Sequence, residues 1–316
     1  MRDTIEPPRN AVLSGEHLVA SSHPAVSATG HRVLAGGGTA IDATLAMAAL
    51  SWLALPGQCG VGGDAFAVVR EPDGRVWTVG GSGFGPDGGD PSFYRERGCK
   101  SLPLTGGLAV AAPGAIGAMA ALHARGATRA VDELWAPAIT AAERGLPCTA
   151  KTRADILDHE IALRQDEGTY DMFLRDGRAP QIGERLPQPE LARSLRLLAR
   201  DPAALYAGEL ADRAVAALVE GGAPFSGAEW QASGTPLVEP AITGDFGEFV
   251  IHQTPLPTPG WMVLQQAALC DRSLAELPWL SAAAVDLMAG AARQAFADRF
   301  ARCGSDTATW AALLDP

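Results

Sequence analysis

The first helical rhythm of apolar positions follows the turn Gly36-Gly37-Gly38. Thr39 is a good N-cap, and Asp42 stands three residues on, as in a capping box with Asp in place of Glu. The run that follows is rich in alanine to about Trp52 and stops near Pro56. It predicts a helix over 39–54, apolar nearly all round and therefore buried. The rhythm then changes. Ala65-Phe-Ala-Val-Val-Arg70 and Arg75-Val-Trp-Thr-Val79 flank Glu71-Pro-Asp-Gly74, a β-turn with Pro second and Gly fourth. That is the pattern of a β-hairpin. Gly80 to Asp90 reads as a glycine-rich loop. From Pro113 helical spacing returns. It predicts helices at about 114–124, 131–144, 149–163, 189–199, 208–220, 260–271 and 281–302, with a short strand over Glu248–His252. Pro202, Gly221-Gly222 and Pro255–Pro259 punctuate them. Residues 1–16 read as a polar N-terminal arm, and no repeat or low-complexity linker divides 17–316.

Composition narrows the class. The chain has 316 residues, 25 Lys and Arg against 36 Asp and Glu, and a net charge of −11. That balance argues against nucleic acid or an anionic membrane as partner, because phosphates require a basic face. A hydrophobic share of 47% with 19% charged residues is that of a globular protein. The longest apolar run, Leu45 to Leu55, is too short for the roughly 20 residues of a membrane span. The opening residues carry no apolar core of a secretory leader. Five widely spaced cysteines (Cys59, Cys99, Cys148, Cys270, Cys303) form no C-x-x-C. A cytoplasmic protein with reduced thiols is the expectation.

Several motifs fail on their context. Gly83-Phe-Gly-Pro-Asp-Gly88 fits G-x-G-x-x-G, but a dinucleotide site needs that loop to open a helix, and Pro86, Gly89 and Pro91 are expected to break one. Gly60-Val-Gly-Gly-Asp64 precedes a strand instead of following it. Gly80-Gly-Ser82-Gly-Phe84 lacks the final glycine of a nucleophile elbow and the helix after it. The six histidines show no metal-ligand spacing, and Asp158-His159-Glu160 is expected to lie on a solvated helix. The residues alone point to an α/β protein with glycine-rich loops and a candidate site between Gly57 and Pro86, with no self-contained nucleophile, base or metal set.

Eight blocks add a resemblance. Gly36-Gly-Gly-Thr-Ala-Ile-Asp42 and Gly60-Val-Gly-Gly-Asp64-Ala-Phe66 resemble the large subunit of the gamma-glutamyltransferase family. So do Val110-Ala-Ala-Pro-Gly-Ala-Ile-Gly117, Leu134-Trp-Ala-Pro137 and Ala142-Glu-Arg-Gly-Leu-Pro147. The likeness continues at Leu205-Tyr-Ala-Gly208, at Gly221-Gly-Ala-Pro-Phe-Ser226 with Trp230, and at Thr254-Pro-Leu-Pro-Thr-Pro-Gly260, in family order over roughly 18–303.

The resemblance implies an α+β fold, the αββα sandwich of the N-terminal-nucleophile hydrolases. It implies that residues 17–316 form the large-subunit part of one domain, completed by a small subunit cut from the same precursor. The new N-terminal Thr of that subunit is then the nucleophile, with its own amine as base. No catalytic residue is expected in this chain, and no metal or cofactor. The pair is expected to be a heterodimer, or a dimer of such heterodimers. The buried helix 39–54 and the hairpin are expected to need the partner's sheet as cover.

One departure bears on substrate. In true gamma-glutamyltransferases the block after the hairpin carries Arg-Glu-Thr-Ala-Pro, whose Arg grips the glutamyl α-carboxylate. Here the stretch is Ser82-Gly83-Phe84-Gly85-Pro86, which puts Ser82 at the Arg position. A Ser cannot replace a bidentate, charge-assisted pair. The form is closer to the family's amidohydrolase branch, which includes oxamate amidohydrolases, but there an Arg stands two before the Pro, where this chain has Phe84. A third branch hydrolyses a C–C bond next to a carbonyl in alkylproline antibiotic biosynthesis. The resemblance thus implies hydrolysis of an acyl bond in a small polar substrate, with Ser82, Gly83, Phe84 and Gly85 lining the acyl pocket. Gly62, Gly63 and Asp64 are expected to shape the loop beneath. The alternatives are a residual gamma-glutamyl hydrolase or transferase using a different Arg, and a non-catalytic homologue that binds or scaffolds.

Overall fold

The computed structural model describes residues 15–302. In chain order the elements begin with α1 (Pro24–Ala35), α2 (Ala40–Ala54), β1 (Ala65–Arg70), β2 (Val76–Gly81), α3 (Pro91–Glu96), α4 (Ala115–Gly126) and α5 (Val131–Arg144). There follow β3 (Leu146–Pro147), α6 (Ala150–Asp158), α7 (Glu160–Leu163), α8 (Glu167–Phe173), β4 (Arg185–Leu186), α9 (Pro189–Arg200), α10 (Glu209–Glu220) and α11 (Ala228–Ala232). The last are β5 (Leu237–Pro240), β6 (Ile242–Phe246), β7 (Phe249–Gln253), α12 (Gly260–Ala275) and α13 (Ala282–Arg302).

The described chain divides into two compact units, residues 15–65 with 81–236, and residues 66–80 with 237–302. In the first, α2 is the central element. Its capping box forms as the sequence predicts: the Asp42 N–H donates to Thr39 Oγ1 at 3.1 Å, and the Thr39 N–H donates to Asp42 Oδ2 at 2.8 Å. With so many small apolar side chains it buries most of its circumference against α1, α4 and α5. Trp52 meets Trp135 of α5 edge-to-face, centroids 5.4 Å apart, a geometry that adds about 1 kcal/mol beyond area burial. Helix α9 closes the other side of α5 through Ala192, Leu195 and Leu198.

In the second unit β1, β2 and β5 form a sheet in that order. β5 runs antiparallel to β2, with Thr78 opposite Glu239, and the Thr78 hydroxyl donates to the Glu239 carbonyl at 3.0 Å. The predicted turn forms, with the Gly74 N–H bonded to the Glu71 carbonyl at 2.9 Å. β6 and β7 make a second hairpin, Phe246 opposite Phe249, with α12 packed on it and α13 on α12.

The structure departs from the sequence reading in three places. The predicted helix 149–163 is two helices broken at His159, because the imidazole Nδ1 takes the Asp155 carbonyl at 2.9 Å beside the His159 N–H. Pro91 starts a helix instead of breaking one, since its fixed φ suits the first helical position. The end of that helix is met by Asp90, whose Oδ1 accepts from the Phe93 N–H, so the G-x-G-x-x-G run still offers no phosphate site. Helices α1, α8 and α11 and strands β3, β4, β5 and β6 have no counterpart in the pattern. The polar arm falls mostly outside the described residues, as does Cys303; the other four cysteines are free thiols. No described helix is long and apolar enough to cross a membrane.

Candidate functional site

Two glycine-rich loops meet at the start of α4. After α2 the chain turns through Gly60–Asp64, and the Gly63 N–H closes on the Gly60 carbonyl at 3.1 Å. The Gly63 carbonyl then accepts from the N–H groups of both Gly114 and Ala115, each at 3.0 Å. These donors belong to the first turn of α4, where no carbonyl of the helix itself can meet them. Gly63 shapes the loop through its backbone. A Cβ on Gly62 would meet nothing within 4 Å. Asp64 is exposed and its side chain has no hydrogen-bond partner among the described residues.

The second loop leaves β2 at Gly81. Gly83 has φ +72, and a Cβ there would stand 1.8 Å from the Ala112 carbonyl oxygen. A Cβ on Gly114 would stand 2.2 Å from the Gly81 carbonyl oxygen. Backbone therefore packs on backbone, and Ser82 and Phe84 are carried at fixed points. The Phe84 carbonyl accepts from the Ala112 N–H at 2.8 Å, and the Phe84 N–H donates to Ser233 Oγ at 3.0 Å. The Phe84 side chain is left outside this framework, with the residue 54% exposed. Ser82 is half-buried, and its hydroxyl takes no partner among the described residues. Gly85 has open space at its Cβ position.

Two residues that sequence reasoning missed hold the loop from behind. Glu229, 4% exposed, accepts the Asp87 N–H at 3.2 Å and the Ser226 N–H at 2.7 Å through Oε1, and the Ser226 hydroxyl at 2.5 Å through Oε2. Burial pushes its carboxyl up, but the Ser226 hydroxyl and the backbone N–H groups around it outweigh this and hold it below the usual value. Ser233 closes α11 by donating to the Glu229 carbonyl at 2.8 Å. A signal was available: Ser226-x-x-Glu229 has capping-box spacing.

A separate cleft of about 370 Å³ lies between Pro56–Gln58 and α6–α8, lined by Lys151, Ile156, His159 and Phe173. Lys151 is paired there with Asp155 at 2.8 Å, and Ser82–Gly85 takes no part in its lining. Among the described residues no three His, Cys, Asp or Glu side chains converge as metal ligands would.

Comparison with known proteins gives this geometry a setting. The family model described as Gamma-glutamyltranspeptidase matches residues 26–314. An "Acylase ACY 1 proenzyme" of Pseudomonas sp. (strain V22) is 31% identical over 294 residues, covering 89% of this chain and 52% of the relative. A "Glutathione hydrolase proenzyme" of Pseudomonas sp. (strain A14) is 30% identical over 289 residues, covering 89% and 50%. The chain spans about half the length of the curated relatives it matches. Among solved structures, the gamma-glutamyltranspeptidase of Helicobacter pylori superposes with a TM-score of 0.90 at 23% identity, over 97% of this chain and 90% of that one. At that identity the likeness speaks for the fold, and the fold is the α+β architecture that the resemblance implied.

Proposed function

Because the chain belongs to the gamma-glutamyltranspeptidase family, matched over residues 26–314, we propose that it is the large subunit of an N-terminal-nucleophile hydrolase that cleaves an acyl bond in a small polar substrate. The nucleophile is the N-terminal Thr of a small subunit from the same precursor. Its hydroxyl adds to the substrate carbonyl as its own amine takes the proton. The leaving group departs with that proton, and water then releases the acid from the acyl-Thr ester. This chain contributes the wall of the acyl pocket. Gly83 and Gly85 shape that wall, Ser82 offers a hydroxyl, and Phe84 offers a ring. Gly62, Gly63 and Asp64 form the loop beneath.

The observation that carries the reading is the loop Ser82–Gly85, fixed backbone on backbone at the head of α4, with an unpaired hydroxyl and an exposed ring instead of an Arg. A neutral wall suits an acyl chain without an α-carboxylate better than a glutamyl group. Of the relatives, one is named an acylase and another a glutathione hydrolase, which supports acyl-bond hydrolysis. Hydrolysis of a C–C bond next to a carbonyl follows the same covalent path, with carbon in place of nitrogen as the leaving atom.

The test begins with the whole precursor. It should cut itself into two chains that copurify, the second beginning with Thr, and replacing that Thr with Ala should abolish both cutting and turnover of acyl p-nitroanilides. A second chain beginning with any other residue would favour a binding or scaffold role.

A further inference from the structure

Helix α11 is five residues long, yet it fastens one loop at two points. Ser233 Oγ donates to the Glu229 carbonyl and accepts the Phe84 N–H at 3.0 Å. A hydroxyl performs both roles at once, and a methyl group performs neither. Three residues further along the loop, the Asp87 N–H ends on Glu229 Oε1. Helix α11 is itself anchored. Trp230 is buried, its Nε1 donates to the Leu205 carbonyl at 2.8 Å, and its ring meets Phe225 edge-to-face at 5.7 Å. Phe84 is therefore held on both sides of its α-carbon, by Ser233 at the N–H and by Ala112 at the carbonyl. Its ring alone is left for other contacts. Between the two fastenings lies Gly85, around which there is open space.

We propose that Ser233 and Glu229 are positioning residues that set where the Phe84 ring stands, and through it which acyl chain the site accepts. This rests on the reading of Ser82–Gly85 as the acyl-binding loop. Neither residue needs to touch substrate. Ser233 is 3% exposed and Glu229 4%, and both act through the loop backbone. Selectivity would then depend on a hydroxyl that stands 149 residues from the ring it places.

The experiment uses the full-length, self-processed protein and three variants, Ser233→Ala, Ser233→Thr and Phe84→Ala. Two quantities are read: hydrogen–deuterium exchange over 82–88, and the ratio of kcat/KM for butyryl- over acetyl-p-nitroanilide. Losing one neutral hydrogen bond is worth about three- to tenfold in either quantity. Ser233→Ala should speed exchange in 82–88 by that factor while leaving 40–54 unchanged. It should also move the acyl ratio in the same direction as Phe84→Ala, and Ser233→Thr should restore both. A generally weakened fold would speed exchange in both segments and would not be restored by Thr. If Phe84→Ala moves the ratio while Ser233→Ala matches wild type in both readouts, the positioning role is wrong and the acyl-loop reading stands. If Phe84→Ala leaves the ratio unchanged, or wild type turns over neither anilide, the acyl-loop reading fails and the proposal falls with it.

Discussion

Asp42 and Thr128 are joined twice across 86 residues of sequence, the Thr128 N–H reaching Asp42 Oδ1 at 2.9 Å and its hydroxyl reaching Oδ2 at 2.7 Å. With the Arg129 N–H at 3.2 Å and the Thr39 N–H at 2.8 Å, one carboxylate closes the start of α2 and ties it to the link between α4 and α5. Burial pushes this carboxyl up. The Thr128 hydroxyl and the three N–H groups overcome that and lower it from 3.8 to about 2.

The sign of the pH dependence follows. A carboxyl held lower in the folded state than in the unfolded chain stabilises above the unfolded value, and loses that contribution as pH falls through the folded one. A depression from 3.8 to about 2 is worth roughly 2 kcal/mol at neutral pH, and about half of that is gone at pH 3. Asp42→Asn should therefore cost roughly 2–4 kcal/mol at pH 7, because an amide turns a donor toward N–H groups that need an acceptor. Urea midpoints of full-length wild type and variant should converge between pH 7 and pH 3. An equal gap at both would show that the charge is not what stabilises.

The glycine loops give a paired test. Gly83→Ala asks a left-handed residue to place a methyl group 1.8 Å from a backbone oxygen, and backbone cannot rotate away as a side chain can. The cost should be on the order of 3 kcal/mol or more. Gly85→Ala, two residues on, meets nothing within 4 Å and should stay within about 0.5 kcal/mol of wild type. Thermal melts of the two variants side by side would decide it. Equal shifts would mean that the interlocked backbone at Gly81, Gly83 and Gly114 is not what fixes the loop.

These contrasts explain what could be read from sequence. The capping box of α2, the hairpin turn at Glu71–Gly74 and most later helices rest on local rules, so spacing alone placed them. β5 escaped because its residues, Leu237–Pro240, form a short edge strand ending in proline, and its partner lies some 160 residues upstream. α1 escaped because its signal is a His23 cap with Pro24 behind it, an uncommon pairing. The glycine-rich loops between Gly57 and Pro86 stood out as a candidate site from their residues alone, and the roles given to Ser82–Gly85 came from family likeness. The grip of Ser233 and Glu229 on Phe84 and Asp87 is a contact across about 140 residues that no periodicity encodes.

Packing also revises what the chain requires of a partner. The Ala-rich α2 is covered within its own unit by α1, α4 and α5, so the expectation that it needs a second subunit is wrong. The hairpin differs: Phe66 and Val68 share one face of β1 and are 39% and 45% exposed. On α13, Phe296 and Phe300 stand 6.4 Å apart and are 49% and 84% exposed. Apolar groups clustered this way promote association. Residues 1–316 produced alone should aggregate or bind the dye ANS, and coexpression with the downstream segment of the precursor should suppress both. A soluble monomer that melts cooperatively and ignores ANS would show that the second subunit is not needed as cover.

The substrate prediction turns on Ser82. The family likeness aligns it with an Arg that grips a glutamyl α-carboxylate, and a Ser offers no charge to pair with one. Losing a desolvated, bidentate contact costs on the order of 2–5 kcal/mol. At about 1.4 kcal/mol per decade, that is roughly 30-fold to several-thousand-fold in kcat/KM. The self-processed protein should therefore turn over gamma-glutamyl-p-nitroanilide at least about 30-fold less efficiently than butyryl-p-nitroanilide, which has the same chain without the α-amino and α-carboxylate groups. Ser82→Arg should narrow that ratio, and Ser82→Arg combined with Phe84→Ala should narrow it further, because the ring stands two residues from the new guanidinium. Equal efficiency on the two anilides in wild type would mean that another cation, on either subunit, holds the carboxylate, and that Ser82 does not set the preference.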